Sequence, residues 1–188
     1  LSPFGRNLTL SALWRLESGL PALEGLSLVV GVVVAETLRA GFGIAAGLKW
    51  PNDIVVNGRK IGGILIEVDG DLAGPISVVI GIGINVDMTD AATQGIDQAW
   101  TDARTEARTS VSRNDLSARL IAGLALALER FSLTGFKGFR EQWCLLDVFQ
   151  GLPVSVSGPA SSSLEGTARG VDKTGALLLD TGEAVHAI

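Results

Sequence analysis

Hydrophobic positions change their period several times along the chain, and each change marks an element. Leucines recur every four residues at Leu116, Leu120, Leu124 and Leu128. With Ile121 and Phe131 widening the stripe, that spacing predicts an amphipathic helix. Ser112-Arg113-Asn114-Asp115 precedes it with the pattern of a helix N-cap, a serine followed three residues later by a carboxylate. Phe136, Phe139 and Trp143 carry a helical spacing onward into a second helix, where such aromatics belong to the core. From Pro21 to about Arg39 the chain is mostly Leu, Val and Ala, with Glu24, Glu36 and Arg39 as its charges. The β-branched run from Val29 to Val34 would also suit a buried strand, but the length and the flanking Gly41 and Gly43 favour a buried helix.

Elsewhere the pattern is that of strands. Leu8 to Leu13 reads as one that needs a neighbour, and about Ala46 to Trp50 as another. Asn57-Gly58 stands between two β-branched runs, and this dipeptide signals a two-residue hairpin because both residues tolerate positive φ. The hairpin's first strand begins after Pro51, whose fixed φ and missing N–H suit an entrance or an edge. Asp53 and Lys60 then fall near each other. Gly62 and Gly63 interrupt the second strand where packing prefers side chains, so a ligand or another backbone comes close there. Gly70 and Gly74-Pro75 punctuate the next connection, and Ile76 to Val86 returns as a third strand of an antiparallel meander. Asp87 to Ser110 shows little periodicity and reads mostly as loop with a short helix. After Gly151 come four short strand-like segments, Pro153 to Ser157, Leu164 to Val171, Ala176 to Asp180 and Ala184 to Ile188. Those 38 residues are too few to hold a core by themselves. They must pack on the first unit or continue beyond Ile188.

Composition narrows the class. With 47% hydrophobic and 19% charged residues among 188, the chain is globular and long enough for a sizeable core. The longest apolar stretch, Leu28 to Ala35, is far short of the ~20 residues that a membrane-spanning helix needs. The start carries no signal-peptide pattern. The simplest expectation is a soluble, cytoplasmic protein with no membrane partner. A net charge of −5 without a basic stripe argues against nucleic acid as a partner. Cys144 is the single cysteine, which excludes an intrachain disulfide and a thiolate zinc cluster and reads as a small buried hydrophobe. His186 is the single histidine and reads as a strand residue. No P-loop pattern is present, and Gly81-Ile82-Gly83 lacks the third glycine of a dinucleotide fingerprint.

The charged residues of the hairpin are the candidate chemistry. Lys60, two residues before the bare backbone of Gly62-Gly63, is a candidate cation for a developing negative charge; the alternative is a solvated hairpin lysine. Asp53 has two jobs open to it: orienting and deprotonating an amine nucleophile, or contacting a metal or nucleotide. Capping the backbone beside the turn is its plainer reading. Asn52 and Asn85 offer paired donor and acceptor groups. Trp50 reads as packing rather than as a stacking platform.

Lys49-Trp50-Pro51-Asn52-Asp53, then Gly58-Arg59-Lys60-Ile61-Gly62-Gly63-Ile64-Leu65-Ile66-Glu67, then Val79-Ile80-Gly81-Ile82-Gly83-Ile84-Asn85-Val86 resemble, in that order and spacing, the central signatures of biotin–protein ligases. Ser2-Pro3-Phe4-Gly5-Arg6-Asn7-Leu8 and Gly170-Val171-Asp172-Lys173-Thr174-Gly175-Ala176-Leu177-Leu178-Leu179 are similar to that family too. The resemblance implies an α+β catalytic core over residues 1–149. Its mixed, largely antiparallel sheet with flanking helices is of the class II aminoacyl-tRNA synthetase kind, and a small SH3-like β-barrel, cut short, follows over residues 150–188. It implies formation of biotinyl-AMP from biotin and ATP with Mg²⁺, then transfer of biotin to a lysine of a biotin carboxyl carrier domain; a homodimer is a further partner of this kind.

By the same resemblance, Lys60, Gly62, Gly63 and Leu65 contact biotin, and Lys60 also meets the reacting phosphate. Asn7, Asn52 and Asn85 line the adenylate pocket, and Asp53 serves catalysis or Mg²⁺. A lipoate ligase is the nearest enzymatic rival, but Lys-Trp-Pro-Asn-Asp followed by Gly-Arg-Lys-Ile-Gly-Gly favours biotin. The family carries a glycine- and arginine-rich loop ahead of Ser-Pro-Phe-Gly. Its absence here makes the chain read as a fragment, and leaves a non-catalytic nucleotide-binding or dimerisation module as the reading from another class. A repressor role would need a DNA-binding domain, which is not in these residues.

Overall fold

Asn57 and Gly58 both adopt positive φ, 50° and 74°, in the computed structural model of the chain. This is the two-residue turn whose twist matches that of the strands it joins. The structure describes residues 5–16, 23–70, 76–88, 98–157 and 163–188. The Ser2-Pro3-Phe4 part of the opening motif, the Gly74-Pro75 punctuation and part of the stretch after Asp87 lie outside the described residues.

The turn joins β3 (Asp53–Val56) to β4 (Arg59–Gly70), and β4 pairs antiparallel with β5 (Ile76–Ile84), giving the expected meander. β1 (Leu8–Leu16) pairs antiparallel with β5, and β2 (Gly47–Lys49) with β3, so the five-stranded order is β1-β5-β4-β3-β2. Along β5 the residues Ile76, Val78, Ile80, Ile82 and Ile84 are buried, and those between them are not. This period of two puts one face of the sheet into the core and leaves the other open.

The buried face is covered by α1 (Leu26–Phe42) and, across it, α3 (Arg113–Thr134). The helix reading of the Val29 to Val34 run is right. β-Branched residues lower helix propensity slightly, but burial on nearly every side of α1 outweighs that. α1 starts at Leu26 after Gly25 in the left-handed region and ends at Gly43, whose N–H bonds the Arg39 carbonyl. In α3 the Ser112 hydroxyl accepts the Asp115 N–H, as the cap pattern predicts. Leu116, Leu120, Leu124 and Leu128 are buried with Phe131, each leucine contributing about 1.5–3 kcal/mol of apolar burial. Ile121 departs from expectation at 57% exposed. It lies a step round the helix from Leu120, beyond the edge of the stripe that α1 covers, and Ala127 is buried on the opposite flank instead.

The expected second helix is divided. Phe136–Gly138 forms a single 3₁₀ turn and α4 spans Arg140–Leu146, with Phe139 between them. Phe136, Phe139 and Trp143 are buried in the core as predicted. The stretch after Asp87 does hold a short helix, α2 (Ala103–Glu106).

β6 (Pro153–Ser157), β7 (Ser163–Val171), β8 (Leu177–Asp180) and β9 (Val185–Ala187) form a four-stranded antiparallel sheet in chain order. It packs on the first unit, as its size requires. Val171 joins the same core, Arg140 Nε donates to the Val171 carbonyl at 2.7 Å, and Trp50 Nε1 donates to the Gly175 carbonyl at 3.0 Å. Trp50 is thus a packing residue. The turn at Gly175 is held by Asp172, which accepts the Thr174 hydroxyl and the N–H groups of Thr174, Gly175 and Ala176. Those bonds lower its carboxyl pKa, the Thr174 hydroxyl most. Cys144 is half-buried against the core, and His186 is exposed on β9.

Candidate active site

The open face of the large sheet carries one rung of directly opposed residues, Lys49, Asp53, Gly63, Gly83 and Thr9, one from each of β2, β3, β4, β5 and β1. Opposed residues point the same way, so two bare glycines lie between a charged pair on one side and a threonine on the other. A β-bulge adds Lys60 to this face. Between β3 and β4 the register shifts, pairing Ile54 with Gly62 but Val55 with Lys60. Ile61 is the extra residue and is fully buried. Strict alternation would set Lys60 and Gly63 on opposite faces; the bulge puts both on the open one. The Lys60 ammonium consequently lies 3.5 Å from where a Cβ on Gly63 would stand.

Lys60 Nζ forms an ion pair with Asp53 Oδ1. Both side chains are partly enclosed, 30% and 14% exposed respectively, so their attraction is less screened than that of a surface pair. The two glycines do different things. A Cβ on Gly62 would meet the Gly83 carbonyl oxygen at 2.7 Å, so this glycine admits another backbone. A Cβ on Gly63 would meet Lys60 and Asp53 side-chain atoms at the cleft. Of the alternatives left open by the sequence, backbone approach belongs to Gly62, while a side chain at Gly63 would press on the Lys60–Asp53 pair.

Asn7, Lys60, Gly62, Gly63 and Asn85 line one cleft of about 290 Å³. Asn7 Oδ1 accepts the Val86 N–H at 3.0 Å, tying β1's entrance to β5's exit. Asn85 Nδ2 donates to the carbonyls of Lys60 and Thr101, so this side chain also braces the cleft wall. Leu65 stands on the same open face, one rung along opposite Gly81, and is 58% exposed. Asn52 lies outside the cleft lining, with its Nδ2 donating to the Ile64 carbonyl while Ile64 N–H donates to its own carbonyl. Sequence reasoning missed Met88, Gln98 and Trp100, which line the cleft together with Leu8, Thr9, Gly83 and Ile84. The signal for Trp100 was a lone aromatic in a polar stretch; the other two carried none.

A second cavity, about 570 Å³, runs between Lys49-Trp50-Pro51 and β6 and is lined by none of the predicted site residues. Asp147 lines it. Burial raises the Asp147 carboxyl pKa, against the opposing effect of the Phe149 N–H that it accepts. Among the described residues, no group of three or more His, Cys, Asp or Glu is placed to hold a metal ion. Asp53 lies outside the cleft lining but is ion-paired with Lys60, which is in it; a single carboxylate there suits Mg²⁺ only if substrate phosphates and water supply the remaining ligands.

Residues 1–85 match the model of the Biotin/lipoate A/B protein ligase family. Over 179 residues the chain is 42% identical to the bifunctional ligase/repressor BirA of Escherichia coli K12, covering 95% of this chain and 55% of that protein. The chain belongs to the biotin–protein ligase family. A family member from Paracoccus denitrificans, a biotin–[acetyl-CoA-carboxylase] ligase, is 29% identical over 169 residues, 88% of this chain and 70% of its own. The fold is also that of the biotin protein ligase from Aquifex aeolicus, with a TM-score of 0.83 and 25% identity over 97% of this chain and 78% of that one. The same enzyme in complex with biotin and ATP matches at a TM-score of 0.81, with 25% identity over 97% of this chain and 75% of that one. The chain spans about half the length of the BirA proteins it matches, 55% of the Escherichia coli one. No helix among the described residues is long and apolar enough to cross a membrane.

Proposed function

We propose that this chain carries the ATP-dependent biotin–protein ligase reaction. The biotin carboxylate attacks the α-phosphorus of ATP, displacing pyrophosphate and forming biotinyl-AMP. The ε-amine of a lysine on a biotin carboxyl carrier domain then attacks the acyl carbon, releasing AMP. The observation that carries this reading is that Lys60, ion-paired with Asp53, and bare Gly63 line one cleft of a family member's sheet.

The geometry fits both steps. Adenylation joins an anion to a polyanion, so a fixed cation at the point of attack lowers the barrier, and Lys60 is held there by the bulge and by Asp53. Gly63 leaves the ammonium uncovered on the side where a substrate carboxylate and phosphate would lie. In the second step the acceptor lysine must react as a free amine, and Asp53 is the carboxylate placed to orient it and take its proton. Mg²⁺ bound by the nucleotide phosphates would neutralise charge on the leaving pyrophosphate, and contact with that ion is the alternative task for Asp53. Leu65 and Gly81 offer an apolar shelf beside the cleft for the biotin rings and chain. Asn7 and Asn85 bring amides to its adenylate end, while Asn52 acts by bracing β3 against β4. The partition into a catalytic core over residues 1–149 and an SH3-like unit over residues 150–188, the kinship of the core with class II synthetases, a cytoplasmic setting and a homodimer belong to the same reading.

Titration calorimetry of biotin and ATP on the full-length protein, with mass-spectrometric detection of biotin on a carrier domain, tests the proposal. Both ligands should bind and the carrier should gain one biotinyl group. Absence of labelling would sink it, and labelling by lipoate instead would reassign the substrate within the family.

A further inference from the structure

Pairing of β4 with β5 ends at Gly62 opposite Ile84, and beyond that point the segment Ala99–Thr101 takes β5's place. Lys60 N–H donates to the Ala99 carbonyl at 2.9 Å, and Thr101 N–H donates to the Lys60 carbonyl at 2.9 Å. A carboxylate fastens this short pairing. Glu106 Oε1 accepts the Thr101 hydroxyl at 2.6 Å and Arg59 Nη2 at 2.6 Å. Its side chain is only 11% exposed, whereas that of Arg59 is 43% exposed. Charge-assisted bonds to an enclosed carboxylate are the strong kind, and such an oxygen is costly to leave unpaired. The helix that carries Glu106 is itself anchored: buried Asp102 accepts the Thr105 N–H at its cap and the Met88 N–H with its other oxygen.

The two residues that Glu106 joins are each next to a wall of the cleft. Arg59 immediately precedes Lys60, and Thr101 immediately follows Trp100; Lys60 and Trp100 both line the cleft. We propose that Glu106 is a positioning residue for the ligase reaction, holding Lys60 and its bridge partner Trp100 side by side in the cleft lining by joining Arg59 to Thr101. It touches no substrate. The inference rests on the function proposed above, because it assumes that Lys60 meets charge arising in the adenylation transition state. A cation with that task acts through its fixed placement, so loosening it lowers kcat more than it changes the KM for biotin.

Full-length protein carrying Glu106→Ala, Glu106→Gln, Thr101→Val or Thr101→Ser tests this by two readouts: hydrogen exchange at the Lys60 and Thr101 amides, and kcat and KM for biotinyl-AMP formation. Glu106→Ala should lose protection at both amides and lose about 10- to 100-fold in kcat, the scale of a displacement of around 1 Å, with little change in the KM for biotin. Thr101→Val should move both readouts in the same direction, and Thr101→Ser, which restores the hydroxyl, should leave both near wild type. Where Glu106→Ala does not fold, Thr101→Val, which keeps the local volume, carries the same expectations, and Glu106→Gln, which keeps an oxygen to accept both bonds but loses the charge, should fall between wild type and Thr101→Val in both readouts. Amides that stay protected, or kcat that stays within about twofold once protection is lost, would overturn the proposal. Protection lost evenly over the whole chain would overturn it as well, reducing Glu106 to a scaffold residue. A wild-type protein that forms no adenylate removes the ligase reading itself and this inference with it, an outcome distinct from an active wild type with an equally active Glu106→Ala variant.

Discussion

Replacing Gly62 and Gly63 by alanine, one at a time, separates two roles held by neighbouring residues. At Gly62 an ideal Cβ falls 2.7 Å from the Gly83 carbonyl oxygen, a backbone atom of the adjacent strand that cannot swing away. β4 and β5 must part locally, and overpacking of this kind costs about 1–3 kcal/mol. The lower chain entropy of alanine in the unfolded state offsets roughly 0.4–1 kcal/mol of that. For a chain of this size each kcal/mol moves Tm by about 2–4 °C, so the roughly 1.3 kcal/mol left at the middle of these ranges should lower the melt of Gly62→Ala by about 3–5 °C. At Gly63 the nearest atoms are Lys60 Cε at 3.3 Å, Lys60 Nζ at 3.5 Å and Asp53 Oδ1 at 3.8 Å. The end of a lysine can move, so Gly63→Ala should keep Tm within about 2 °C of wild type. The methyl then stands beside the ammonium and displaces it, and a displacement on the order of 1 Å costs about 10²-fold in rate. Thermal melts and biotinyl-AMP formation, measured on both variants, read out the two effects. Wild-type adenylation by a well-folded Gly63→Ala protein, or an unaltered melt for Gly62→Ala, would refute the division.

Three further perturbations probe the same face and its support. Lys60→Ala should lower adenylation by about 10²–10³-fold while the fold survives, since one preorganised charge donor is lost; an unaltered adenylation rate would remove Lys60 from the chemistry. Asp53→Ala should slow transfer to the carrier lysine at least as much as adenylation, and an effect confined to adenylation in single-turnover assays would assign Asp53 to metal instead. Asp147→Asn tests the buried carboxyl. Its pKa is raised by burial, so the native state holds that proton more tightly than the unfolded state does; the stability it contributes is fully present below the ordinary carboxylate pKa and is lost as pH rises through the raised one. Asparagine keeps an acceptor for the Phe149 N–H and has no proton to lose. The variant should therefore melt higher than wild type at neutral pH and show a flatter decline across that window; parallel profiles would contradict the assignment.

Period and turn chemistry carried much of the fold in the sequence. The four-residue leucine repeat, the Ser112 cap and the Asn57-Gly58 turn are local signals with local causes, and each appears where it was expected. Ile121 was misread because periodicity states which residues share a stripe but not how wide a stripe the neighbouring helix covers. The separate tasks of Gly62 and Gly63 were not legible, because they depend on a register shift between two strands. Alternation within β4 alone would have put Lys60 and Gly63 on opposite faces. Glu106 was invisible for a related reason: its partner Arg59 lies 47 positions away, and nothing near either residue announces the pair. Asn85 was legible as a polar strand end, but its use as a brace between Lys60 and Thr101 needed the packed loop.

Biotin-dependent exchange of pyrophosphate into ATP, measured on the full-length protein and its Lys60→Ala variant, tests the central claim most directly, because it isolates adenylation from carrier recognition. The account predicts exchange that requires biotin and falls about 10²–10³-fold in the variant. Exchange that is absent, indifferent to biotin, or undiminished without Lys60 would contradict it.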